Sequence, residues 1–284
     1  MQHQRRLARI LTKVLFFATS LLVFNPVSAQ SGIRLYIFDN GEINGLDPAL
    51  FNFSADEVTE TDFVATSYLI VHPKGTLLWE AGAIPDTALP SDGGVYTEGP
   101  IVVDTPLLSQ MQAVGYGPQD IDYFAMSHLH SDHNGNANVF ASSQWIVQKA
   151  DRDMMFSGAE VRVMVPAHFT ALEQAPTLLL DNEDHDVFGD GSVRIISAPG
   201  HTPGHQVLLV QLDDFGSLLL AGDLYHFPEE ITTERFPTFE FDTEMSGHSR
   251  EKIQALLKET GATMWIGHDK ATHARLKFAP EYYE

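Results

Sequence analysis

Within the stretch "AMSHLHSDHNGN" (125–136), four strong metal-ligand side chains, His128, His130, Asp132 and His133, fall close together. In an extended chain the side chains at i, i+2 and i+4 share a face, so His128, His130 and Asp132 point together. His133 joins them only if the backbone turns, and the residues from Ser131 to Gly135 are turn-prone. One ion cannot comfortably take four ligands from so short a stretch, whereas two neighbouring ions can divide them in pairs. The plain alternative is a group of surface histidines clustered by chance. Further along, "APGHTPGH" places His201 in a tight Gly/Pro turn, with His205 opening the next strand. "LLAGDLYHF" places Asp223, and "MWIGHD" places His268, each beside a glycine at the end of an apolar run. A buried carboxylate such as Asp223 needs a strong partner, and a metal is one. Each of these residues alone is more often structural than a ligand; their recurrence at the same kind of place is what joins them. The chain has no cysteine, so disulfides, thiolate ligands and cysteine nucleophiles are excluded. Any metal is held by His, Asp or Glu, which points to zinc or another borderline-to-hard ion.

Apolar strands must deliver these ligands. "IRLYIFD" (33–39) and "SYLIVH" (67–72) read as strands, and "TLLWEAG" (76–82) pairs back through the turn "PKG" as a hairpin. Residues 83–104, rich in Pro, Gly and Asp, read as a long loop. "TPLLSQMQAVG" (105–115) has helical spacing and ends on glycine. "IDYFAM" (121–126) is the strand that carries the first motif, and "QWIVQ" (144–148) is another. Residues 151–190 look irregular and acidic, with short helices, and could cover a site. Met154, Met155, Phe156 and Phe169 there could form an apolar wall or simply pack. "SVRIISAPG" (192–200), "HQVLLVQL" (205–212), "GSLLLAGD" (216–223) and "TMWIGHD" (263–269) are strands. "SREKIQALLKETG" (249–261) is a helix with Ser249 as N-cap and Gly261 as terminator. The pattern implies a single layered α/β domain with sheets packed between helices.

The first residues read as a leader. Arg5, Arg6, Arg9 and Lys13 precede a short apolar run (14–24), and Val27 and Ala29 suit a cleavage site. The expected organisation is a signal peptide over 1–29 and a hydrolase domain over 30–284, exported to the periplasm or secreted. The apolar run is short for a membrane span, so no stable membrane association is expected after cleavage. The full chain has 17 Lys+Arg against 38 Asp+Glu, and loss of the leader's four cations leaves 13 against 38. Such a field repels phosphate backbones, so nucleic acid is not an expected partner. The oligomeric state is open, with a homodimer among the readings.

The set His128-x-His130-x-Asp132-His133, then His201, Asp223 and His268, resembles the metallo-β-lactamase superfamily across most of the chain. The resemblance implies a four-layer αββα sandwich with two metals at the edge between the sheets. His128, His130 and His201 would hold one zinc, Asp132, His133 and His268 the other, with Asp223 bridging; His205 fits a supporting role. Such a pair lowers the pKa of a bridging water and polarises the carbonyl under attack, so the implied chemistry is acyl-bond hydrolysis by a metal-bridging hydroxide. Asp132 could also relay the nucleophile's proton.

Within the superfamily, "RLYIFDNGEINGLDPALF" (34–51) and "PGHTPGHQ" (199–206) resemble the N-acyl homoserine lactonase group, whose members open lactone rings and quench quorum-sensing signals. β-Lactamases proper are disfavoured by the lack of cysteine and by Asp223. RNA-processing members need a basic surface. Glyoxalase-II-type thioesterases carry a helical extension for which little chain follows His268. In the lactonase group a tyrosine three residues after the bridging aspartate contacts the substrate carbonyl. Here that position is His226, with Tyr225 one place earlier, so His226 is the favoured donor and Tyr225 the reserve. Ser131 stands where lactonases often carry an aromatic, which bears on the acyl-chain wall. The alternatives are a same-fold hydrolase of another ester, thioester or lactone, and a non-catalytic zinc-binding protein.

Overall fold

A computed structural model describes residues 32–284 except Gly93, and the expected signal peptide lies outside the described residues. Among these residues the chain builds two sheets. The larger contains β1 (Arg34–Ile43), β2 (Phe63–His72), β3 (Gly75–Trp79), β4 (Tyr96–Glu98), β5 (Ile101–Val103), β6 (Tyr123–Ala125), β7 (Gln144–Gln148) and β8 (Thr177–Leu180). Its order is β4-β5-β1-β2-β3-β6-β7-β8. The smaller sheet contains β9 (His185–Asp186), β10 (Val193–Ser197), β11 (Gln206–Leu212), β12 (Gly216–Leu220) and β13 (Thr263–Trp265), ordered β13-β12-β11-β10-β9. A terminal strand, β14 (Tyr282–Tyr283), pairs with β1. The helices are α1 (Leu107–Ala113), α2 (Lys149–Met155), α3 (Thr243–Thr260) and α4 (Lys270–His273).

Side-chain alternation assigns the layers. Leu35 and Ile37 of β1 face inward with Leu208 and Val210 of β11 and Leu218 and Leu220 of β12, forming the core between the sheets. Tyr36 and Phe38 of β1 point the other way, against Leu107 and Met111 of α1 and Met155 of α2. On the far side, Val207, Leu209 and Leu219 pack against Ile253 of α3. Strands buried on both faces must read as continuous apolar runs, as "HQVLLVQL" and "GSLLL" do. Each fully buried Leu or Val contributes about 1.5–3 kcal/mol to holding the sheets together. The result is the αββα sandwich expected from the sequence. The described residues belong to one compact unit. No helix among them is long and apolar enough to cross a membrane.

Two expectations need correction. Residues 83–104 are not one loop: β4 and β5 form a small hairpin that extends the large sheet beside β1 at Glu42 and Ile43. Three-residue strands are too short to show a period. Helix α3 starts at Thr243 rather than after Ser249, because the Asp242 carboxylate accepts from the backbone N–H groups of Glu244 and Met245. Ser249 instead donates to the Pro199 carbonyl at 2.6 Å, tying the helix to the turn before His201. Gly261, at φ 68°, ends the helix as expected.

The parallel pairings matter most for function. β3 runs parallel to β6, and β12 runs parallel to β13. Their C-terminal ends therefore lie at the same edge of the two sheets, and the ligand-bearing loops start there.

Candidate metal centre

β6 ends at Ala125, and the chain bends at Ser127 and Leu129 before Ser131–His133 closes a single 3-10 turn. That turn swings His133 round beside His128, with ring centroids 4.3 Å apart. His201 arrives from the turn between β10 and β11. Gly200 there sits at φ +142°, and a Cβ would fall 2.3 Å from the backbone nitrogen of Ser246 on α3, so glycine is required by both conformation and space. Asp223 follows β12 directly, and His268 follows β13.

These side chains converge in two groups, His128, His130, His201 and Asp223 in one, and Asp132, His133 and His268 in the other. His130 Nδ1 lies 2.9 Å from His128 Nε2 and 3.0 Å from His201 Nε2. Asp223 Oδ2 is 3.7 Å from His128 Nε2 and 3.5 Å from His201 Nε2. Its other oxygen, Oδ1, is 3.2 Å from His133 Nε2 and 3.0 Å from His268 Nε2. Asp132 Oδ2 completes that second group, 3.7 Å from His133 Nε2 and 3.5 Å from His268 Nε2. A tetrahedral zinc with ligands at about 2.0–2.1 Å puts neighbouring ligand atoms about 3.3–3.4 Å apart, inside the span of these separations. Asp223 thus presents one oxygen to each group, as a bridging carboxylate does.

The electrostatics point the same way. Burial holds His128 and His130 well below the usual imidazole pKa and drives His201 down to about 3, so their lone pairs are available. Burial also opposes charge on His133 and His268, but the Asp223 and Asp132 carboxylates outweigh it and raise both. Without a cation, the site needs protons to neutralise Asp223. His133 Nε2 and Asp223 Oδ1 are buried and make no hydrogen bond although they are neighbours. Buried polar atoms are normally satisfied, so lone pairs that converge on a common point suit a metal ion.

A second set of contacts aims the rings. The Glu240 carboxylate receives His201 Nδ1 at 3.0 Å and is itself held by the Ser246 hydroxyl. His268 Nδ1 donates to the Val64 carbonyl at 2.8 Å. His133 Nδ1 lies 3.4 Å from Glu80, and His128 Nδ1 is 2.9 Å from the Ser127 hydroxyl. Such partners fix the tautomer and turn Nε2 toward the centre. His205 is not among the converging atoms. Its Nδ1 donates to Ala198 and its Nε2 accepts the Asp223 backbone N–H at 3.1 Å, so it positions the bridging residue.

An apolar cleft of about 220 Å³ opens on both groups, walled by Phe51, Phe63, Phe239, Leu46 and Ile101. Phe63 lies flat on the His268 ring at 4.9 Å. Asp132 and His226 line this cleft, and His226 Nε2 is 3.2 Å from Asp223 Oδ2. Glu230 accepts the backbone N–H of His226 and is paired with Arg250 beneath it. Tyr225 is not brought to the site. Its ring lies under the Arg250 guanidinium at 4.6 Å and its hydroxyl accepts from Gln254, on the α3 side. Adjacent residues of an extended chain face opposite ways, and here the register favours His226.

Met155 and Phe169 are buried in the outer core, with Met154 and Phe156 packed against it, so most of that expected wall is packing. The segment does touch the site elsewhere, because Val163 lines the cleft and its carbonyl accepts the Ser131 N–H at 2.8 Å. Glu240, Glu230, Glu80, Phe51, Phe63 and Phe239 carry no mark in the sequence. They sit in loops or at strand starts with no spacing to single them out.

Residues 61–267 match the family described as the metallo-beta-lactamase superfamily. The N-acyl homoserine lactonase AttM of Azorhizobium caulinodans is 30% identical over 271 residues, covering 90% of this chain and 100% of its own. The N-acyl homoserine lactonase AiiA of Bacillus thuringiensis subsp. kurstaki is 27% identical over 225 residues, covering 76% of this chain and 85% of its own. A solved N-acyl homoserine lactone hydrolase, with the product N-hexanoyl-L-homoserine at its catalytic metal centre, is similar at a TM-score of 0.72 and 25% identity. That likeness covers 89% of this chain and 100% of the other.

Proposed function

Since the chain belongs to the metallo-beta-lactamase superfamily, we propose that it is a dinuclear zinc hydrolase that opens the lactone ring of N-acyl homoserine lactones. The observation that carries this reading is the apolar cleft that ends on the seven converging ligands. A neutral, amphipathic lactone with an acyl tail suits such a cleft, and it does not meet repulsion from a chain of formal net charge −21.

His128 Nε2, His130 Nδ1, His201 Nε2 and Asp223 Oδ2 would hold one ion. Asp132 Oδ2, His133 Nε2, His268 Nε2 and Asp223 Oδ1 would hold the other. Two zinc ions there supply a hydroxide at neutral pH and Lewis-acid polarisation of the carbonyl. The protein's own groups do the rest. Phe51, Phe63 and Phe239 exclude water and lay the acyl amide along the cleft. His226 lines the cleft with Nε2 3.2 Å from Asp223 Oδ2, and from there it donates to the substrate carbonyl as charge develops. Asp132, half-buried and within reach of the lactone, accepts the nucleophile's proton and returns it to the ring oxygen that leaves as the homoserine hydroxyl. One water is added, and the ring ester becomes a carboxylate and an alcohol.

The basic and apolar leader features of the first 29 residues support export, which would place the activity outside the cytoplasm. The test is to purify the protein, measure metal per chain, and monitor acyl homoserine lactones for the gain of one water. About two zincs with ring opening is expected, and Asp223→Ala should lose both the second metal and turnover. Two zincs with every lactone untouched would sink the substrate assignment, and no metal would sink the whole reading.

A further inference from the structure

The catalytic cleft adjoins a second, larger trough on the surface. The trough, about 820 Å³, is walled by Ala83, Ile84, Pro85, Val139, Val165 and Ala167. Two residues, Ile101 and Ser131, belong to the walls of both cavities. Ser131 is the residue between the ligands His130 and Asp132, and its small side chain stands where the two cavities meet. Val139 and Val165 are exposed there, so apolar surface is left uncovered along the trough. The charged residue in its walls, Glu98, is exposed.

A third cavity adjoins the cleft on its other side, beyond His130 and Phe239. It is smaller, about 290 Å³, and Glu160 and Arg162 line it. A long alkyl tail finds more room in the larger trough, so the trough past Ser131 is the better path.

We propose that Ser131 is a specificity-determining opening through which the distal part of a long acyl chain passes into this trough, making the enzyme selective for long-chain N-acyl homoserine lactones. The proposal rests on the lactone reading given above and names the substrate class of that site. The lactone ring stays at the ligand cluster, the proximal methylenes fill the phenylalanine-walled cleft, and the tail beyond them lies against Val139, Val165 and Ala167. A methylene moved fully out of water contributes about fourfold in affinity, and one half-shielded in an open trough about twofold. The added methylenes of a dodecanoyl over a hexanoyl chain therefore give a kcat/KM ratio on the order of tens.

The experiment measures kcat/KM for butanoyl, hexanoyl, decanoyl and dodecanoyl homoserine lactones with the zinc-loaded protein. It also measures binding of the ring-opened dodecanoyl product by calorimetry. Ser131→Phe should close the junction and collapse the dodecanoyl-to-hexanoyl ratio toward one. Because that residue adjoins two ligands, Ala167→Trp and Val139→Trp fill the trough from its far walls and should lower the same ratio and weaken the long-chain product. A wild-type ratio near one overturns the proposal, as does a ratio untouched by the trough variants. A ratio that falls with Met154→Trp instead sends the tail to the other cavity and also overturns it. Hydrolysis of the hexanoyl lactone reports on the lactone reading separately. If no chain length is opened, that reading fails and takes the proposal with it.

Discussion

Replacing Glu240 separates the energetics of the metal centre from those of the fold. Its carboxylate, buried although it sits in a partly exposed loop beside α3, receives His201 Nδ1 at 3.0 Å and the Ser246 hydroxyl. Burial pushes the Glu240 carboxyl above its usual range, so the fold carries a desolvation cost for it. Its benefit appears when His201 must present Nε2 with full basicity. Losing such a partner typically weakens metal binding by about 10–100-fold, or about 1.4–2.7 kcal/mol. Glu240→Gln keeps the volume and one acceptor oxygen but removes the charge, so about tenfold is expected. Glu240→Ala also lets the His201 ring rotate and leaves a void, so about a hundredfold is expected. Zinc dissociation constants from competition with a calibrated chelator give the first quantity. Thermal unfolding of the metal-free variants gives the second, and Glu240→Gln should unfold no earlier than the parent. Unchanged zinc affinity in both variants would refute the reasoning. So would a stability loss in metal-free Glu240→Gln as large as the affinity loss.

Two other perturbations probe the fold around the site. Arg250 is buried, donates to the Leu224 and Arg235 carbonyls and pairs with buried Glu230, so Arg250→Met should cost about 3–5 kcal/mol in chemical denaturation. Adding Glu230→Gln should recover part of that loss, and no recovery would mean that the stranded carboxylate is not its source. Asp151 is buried and its carboxyl is pushed up to about 7 by desolvation, against hydrogen bonds from Thr202 and Gly204. Because the folded-state pKa exceeds the unfolded value of about 3.9, its contribution is fully present below about pH 4 and is lost as pH rises toward 7. Urea melts across that window should fall more steeply for the parent than for Asp151→Asn, by on the order of a few kcal/mol in total; parallel curves would contradict it.

Much of the sandwich was legible because buried strands leave a strong trace. "QWIVQ" coincides with β7, and "GSLLLAGD" begins with β12 but runs past its end at Leu220. The hairpin of β4 and β5 left no trace, since its strands are three residues long and only β5 joins the sheet, by pairing with β1 far back along the chain. The start of α3 was misplaced for a related reason. Gly247 interrupts its helical pattern, and the Asp242 cap outweighs that weak propensity.

For the site, residue type and spacing, joined by the superfamily resemblance, marked the seven candidate ligands, because metals accept few side chains and the chain holds no cysteine. The superfamily resemblance implied their grouping, and only the tertiary structure showed which nitrogen meets which oxygen of Asp223, through the Ser131–His133 turn and the parallel β12–β13 pair. It also set His226, the donor the sequence favoured, at the cleft and Tyr225 away from it, because only the fold shows which face of the chain the cleft occupies. The apolar walls came from the fold as well. Phe51, Phe63 and Phe239 are far apart in sequence, and long-range packing of hydrophobic side chains carries no local period by which to see it.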